Sequence, residues 1–135
     1  MALDLEHMMI LLQRRYNTIR EIGRLTDELS EAVYRNDQVS SSMILQMRAD
    51  EMGRCDACFQ EIWALAEAGP EEAELVRRLM TSDSSGKLAG RDPAENKIYE
   101  IRRKTGELLE KIRQTDRRMS QRVGGEKSFY ARNKI

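Results

Sequence analysis

The sequence predicts an all-α protein, an elongated antiparallel helical hairpin joined to a third long helix in a small, coiled-coil-like bundle. Three observations carry this. Apolar residues recur at spacings of three and four over long stretches, which is the helical period. Breakers are scarce, with 8 Gly and 2 Pro in 135 residues, so those stretches run on without interruption. Aromatic residues make up 5%, and turn signals are few, which argues against a sandwich or a barrel. The length suits a single domain.

The first helix is expected from about Leu3 to Arg35. Its stripe is Leu5, Met9, Leu12, Tyr16, Ile19, Ile22, Leu29 and Val33, and Gly23 is a place where another helix can approach closely. The pattern stops at Asn36-Asp37, a turn residue followed by an N-cap residue. So short a connection makes the next helix antiparallel to the first. That second helix runs from about Gln38 to Ala68, with Val39, Met43, Ile44, Met47, Cys55, Cys58, Phe59, Ile62, Leu65 and Ala66 on its stripe. Gly69-Pro70 ends it and opens a short third helix to about Thr81, whose first turn carries Glu71 and Glu72.

Residues 82–93, SDSSGKLAGRDP, are small and polar and predict a flexible linker. Gly86-Lys87 lacks the upstream glycine, the Ser or Thr and the preceding strand of a phosphate loop. Asp92-Pro93 starts the last helix. Ala94, Ile98, Ile101, Thr105, Leu108, Ile112, Thr115 and Met119 alternate spacings of four and three, a heptad seam weakened at its two threonines. Gly124-Gly125 is expected to close it. The domain organisation is therefore a hairpin plus short helix over 1–81, a linker over 82–93, a long amphipathic helix over 94–123, and a tail over 124–135 containing Ser128-Phe129-Tyr130, all within one domain.

Basic and acidic residues number 23 each, so the formal net charge is zero. A neutral chain offers no general attraction to nucleic acid or to a membrane. The charges are unevenly placed. Residues 37–81 hold 4 basic and 9 acidic residues, and residues 94–135 hold 12 basic and 6 acidic. This predicts that the acidic second helix and the basic last helix lie side by side. Exposed pairs contribute less than about 1 kcal/mol each but set register and partner choice. A nucleic-acid role for Arg102-Arg103-Lys104 and Arg117-Arg118 has only Tyr99 nearby for stacking, and is disfavoured.

No catalytic constellation is expected. There is 1 histidine, His7, beside a helix start, and no Glu-x-x-His of a ferritin-like metal site. Cys55 and Cys58 form a CxxC inside a helical pattern, with neither the strand nor the helix N-terminus that a redox pair uses and too few further ligands for zinc. Two small side chains on one helix face is the preferred reading. No metal and no cofactor is expected. No apolar run reaches the ~20 residues of a membrane span. The run Met8–Leu12 follows Asp4 and Glu6 rather than basic residues, which argues against a secretory signal and for a cytoplasmic protein. What remains is surface for another helix. The 8 methionines suit a face that accepts more than one apolar shape.

The stretch Leu29-Ser30-Glu31-Ala32-Val33-Tyr34-Arg35-Asn36-Asp37-Gln38-Val39 resembles the hairpin turn of flagellar export chaperones of the FlgN and FliT type. Met47-Arg48-Ala49-Asp50-Glu51-Met52 is similar to the charged-then-apolar stretch of their second helix, and a third helix after a polar linker matches their layout. The resemblance covers roughly residues 5–120. It implies a cytoplasmic chaperone without a cofactor that binds an amphipathic helix of a junction, cap or filament subunit and prevents premature assembly. It also implies a partner-binding stripe on the last helix, here Ile98, Ile101, Leu108, Ile112 and Met119. The alternative is a self-associating structural or adaptor coiled coil, a homodimer or tetramer built on the same stripe and on the opposed charges of the second and last helices.

Overall fold

The computed structural model describes residues 4–82 and 93–126, with side chains through Val123. All four long elements in it are α-helices: α1 (Leu5–Tyr34), α2 (Gln38–Ala64), α3 (Pro70–Thr81) and α4 (Pro93–Glu126). A 3-10 turn, Leu65–Ala68, sits between α2 and α3. The all-α bundle expected from the periodicity is what forms. Most of the linker and of the tail lies outside the described residues.

Helix α1 is the spine, and both α2 and α4 pack along it. It supplies Met8, Leu11, Leu12, Ile19, Ile22, Leu25, Thr26, Leu29 and Ala32 to the interior. Its start is capped by Asp4, whose carboxylate accepts the His7 N–H at 3.1 Å. Its end is a Schellman turn. The Asp37 N–H donates to Ala32 O at 2.9 Å and the Asn36 N–H to Val33 O at 3.0 Å. Asn36 takes the left-handed conformation this turn requires, with φ of 57°. Asp37 closes one helix and caps the next. Its carboxylate accepts the Ser40 N–H at 3.0 Å and the Ser40 hydroxyl at 2.7 Å, which holds it below the usual aspartate range.

Two expected boundaries shift. The last turn of the second helix tightens to 3-10 over 65–68, because Pro70 cannot continue an α-helical ladder. Helix α4 runs to Glu126 rather than stopping at 123. Glycine has low helix propensity, costing about 1 kcal/mol relative to alanine, but it does not forbid helical φ and ψ.

The core is densest at one end. There Met8, Leu11 and Leu12 of α1 meet Ile62 of α2, Leu79 of α3, and Ile98 and Tyr99 of α4. Burying each such side chain contributes roughly 1.5–3 kcal/mol. Arg78 of α3 pairs with the buried Glu95 of α4 at 3.0 Å, and Arg102 of α4 donates to Leu79 O at 2.8 Å. Midway, Ile19 and Ile22 of α1 pack with Ile112 of α4. A Cβ on Gly23 would sit 3.5 Å from Ile112 Cδ1, an ordinary van der Waals contact, so α4 packs beside Gly23 at a distance that does not require a glycine.

The expected side-by-side packing of α2 and α4 does not form: each lies along α1, and the two meet at few points. Arg48 of α2 grips Asp116 of α4 with two hydrogen bonds, Nη1 to Oδ1 at 2.8 Å and Nη2 to Oδ2 at 2.7 Å. Here the base comes from the acidic segment and the acid from the basic one. Arg78–Glu95 has the same reversed polarity. Net segment charge did not foretell these contacts, because a bridge depends on which two side chains face each other.

Candidate functional site

Helix α2 differs from its neighbours in having no single apolar face. The residues that turn inward are Ser41, Ile44, Arg48, Glu51, Cys55, Cys58, Ile62 and Leu65, all buried or half-buried. Their spacing alternates three and four, a heptad seam like that of α4. Its first half is polar except for Ile44, and only Ile62 is fully buried. Val39, Met43 and Met47 step by four residues, so the row starts opposite the seam at Val39 and turns about 40° per step toward it. They form a ridge open to solvent, with Val39 74% and Met43 62% exposed. Leu45, Met52 and Phe59 form a second exposed row on the opposite flank.

This departs from the expected second-helix stripe. Ile44, Cys55, Cys58, Ile62 and Leu65 do face inward, but Val39, Met43, Met47 and Phe59 do not. The signal that separates them is the seam itself. It passes through Arg48 and Glu51, which a search for apolar residues alone skips.

Below Met47 a shallow cleft of about 230 Å³ lies between α1 and α2, lined by Glu21, Leu25, Met47, Asp50, Glu51 and Arg54. Its carboxylates outnumber its one cation. Glu21 is held below the usual glutamate range by the Arg24 guanidinium beside it. The ridge and this cleft together make an apolar surface with an acidic border. On the other row, Phe59 stacks edge-on to Trp63 at 6.3 Å between centroids, and the Arg15 guanidinium covers its ring at 5.0 Å.

The stripe of α4 expected to bind a partner is turned onto α1. Ile98, Ile112 and Met119 are buried, and Ile101 and Leu108 are half-buried against the same core. Of this stripe, Leu108 and Ile112 also line an open groove between α1 and α4. The cations of Arg102-Arg103-Lys104 are largely engaged. Arg102 also lies over the Tyr99 ring at 5.9 Å, Arg103 pairs with Glu107 and Lys104 with Glu100.

His7 is exposed at the α1 start. Cys55 and Cys58 are half-buried free thiols, and Cys55 packs on the middle core. Burial pushes the Cys58 thiol up, and Glu61 and Cys55 add to it. A raised thiol is the opposite of an activated nucleophile. Among the described residues, no three His, Cys, Asp or Glu side chains converge as a metal site would need. Nor is any helix among them long and apolar enough to cross a membrane.

No protein-family model matches the chain, and neither the curated proteins nor the solved structures yield a match.

Proposed function

We propose that this protein is a cytoplasmic export chaperone for a flagellar axial subunit, holding an amphipathic helix of that subunit on the outer face of α2. The observation that carries the reading is the solvent-facing ridge of Val39, Met43 and Met47 beside the acidic cleft of Asp50, Glu51 and Glu21. A helix docked there would lay its apolar face on the ridge and basic residues along the acidic border. Methionine side chains adapt to partners of differing shape. The turn that carries the family resemblance, residues 29–39, leads directly into this ridge. Covering the partner's helix would block the contacts it uses in assembly, and that needs no cofactor.

The test is co-elution on gel filtration with junction, cap and filament subunits. A stable complex with at least one is expected, and Met43→Asp with Met47→Asp should remove it while leaving helicity unchanged. If no subunit co-elutes, the chaperone reading fails. The second reading, self-association through the same exposed ridge, predicts a dimer by light scattering that the same double substitution converts to monomer.

A further inference from the structure

A different flank of α1 carries a second surface that the proposed function does not use. Helices α1 and α4 leave an open groove of about 480 Å³ between them. It follows α1 from Tyr16 to Asp27 and α4 from Leu108 to Arg118, about three helical turns or ~16 Å. Its floor is apolar, formed by Gly23, Leu108 and Ile112. With no side chain on Gly23, the floor stays low. Its walls carry Arg20, Arg24, Lys111 and Arg118, against one lining carboxylate, Asp27.

These cations are not all balanced from within. Arg24 is held by Glu21 and Glu28. Elsewhere on α4, Lys104, Arg103 and Arg113 pair with Glu100, Glu107 and Glu110 one turn away, while Lys97 and Arg117 form no such pair among the described residues. Arg20, Lys111 and Arg118 take part in no ion pair among the described residues. Across α1, the cleft beside α2 has the reverse balance. One helix thus separates a basic groove from an acidic one.

We infer that the α1–α4 groove is a docking site for an acidic amphipathic peptide segment of a protein partner. Charge complementarity sets the sign of the ligand: carboxylates spaced along one side of the peptide would meet Arg20 on one wall and Lys111 and Arg118 on the other. The apolar floor sets the class. It would take an aliphatic side chain, which a polyphosphate chain does not have. Asp27 within the groove and a net charge of zero also disfavour a dense polyanion. The inference is independent of the ridge on α2.

The experiment is fluorescence anisotropy of the full chain with a labelled synthetic peptide of about 14 residues, long enough to span the groove as a helix. It places Leu on one helical face and Glu on the other. Binding that weakens with salt is expected, and the same peptide with Gln for Glu should bind at least about tenfold more weakly. Arg20→Glu with Lys111→Glu should also weaken it about tenfold or more, and Arg20→Gln with Lys111→Gln by less. Gly23→Leu, which raises the floor without changing charge, should weaken it too, with circular dichroism confirming the helices. The inference is overturned by equal binding of the Gln peptide, by indifference to the Arg20 and Lys111 changes, or by tighter binding of heparin or phosphatidylserine vesicles. It is equally overturned if Met43→Asp abolishes peptide binding, since the peptide would then lie on α2.

Discussion

The two ends of the bundle use the same three long helices and finish differently. At one end the start of α1, the end of α2 and the start of α4 are joined by α3. Ile62, Leu79 and Ile98 become fully buried there, and Arg78–Glu95 ties α3 to α4. At the other end, where α1 turns into α2, no fourth helix lies among the described residues. Leu29, Ala32 and Met119 are buried, and the Arg122 guanidinium lies over Tyr34 at 4.2 Å. Yet Val39, Met43, Leu45 and Met47 stay exposed. Apolar side chains stabilise a fold only where something covers them. The closed end is therefore where the stability resides, and the open end is where a partner could add to it.

The sharpest way to break that comparison is a matched pair of truncations. Ile62→Ala at the closed end should cost about 2–5 kcal/mol, since it leaves a cavity among four elements. Met43→Ala at the open end should change stability by no more than about 0.5 kcal/mol. Urea unfolding of the two variants measures both. Equal losses would mean that the ridge is already covered, by a second copy or by a part of the chain outside the described residues.

A smaller effect is expected between the ends. Arg48→Ala strips Asp116 of its two hydrogen bonds. Arg48 is 13% exposed but Asp116 is 35% exposed, so water takes over part of the lost interaction. The cost should be about 1–2 kcal/mol, between that of a surface pair and that of a buried one. Replacing both residues, Arg48→Met with Asp116→Leu, should recover most of it. If Arg48→Ala is neutral, α2 and α4 are held only through α1.

The smallest effect concerns the turn at the open end and is read from pH. The Ser40 N–H and hydroxyl lower the folded-state pKa of Asp37. A lowered carboxylate contributes stability that is fully present above its unfolded value of about 3.9 and is lost as pH falls through the lower folded value. Asp37→Ala should therefore lower the thermal midpoint at neutral pH and leave a shallower decline on acidification. An unchanged acid profile would show that the cap adds nothing to stability.

Much of this molecule is legible in local sequence signals. Asn36-Asp37 marked the hairpin, Gly69-Pro70 the third helix and Asp92-Pro93 the fourth, because caps and turns are decided within a few residues of chain. The seam of α4 was legible too, since each of its positions is apolar or a threonine. The face of α2 was not. Its apolar residues point three ways, and only packing against α1 selects the seam through Arg48 and Glu51. The charge contacts were hidden for the same reason. Segment totals record how many charges a helix carries, whereas Arg48 meets Asp116 because two helices come to rest at one rotation about a third. Helix identity and most boundaries are local properties of the chain, although α4 runs on through Gly124-Gly125. Which face of α2 is buried, which apolar residues are left over, and where the acidic and basic grooves fall are settled only when three helices share one core.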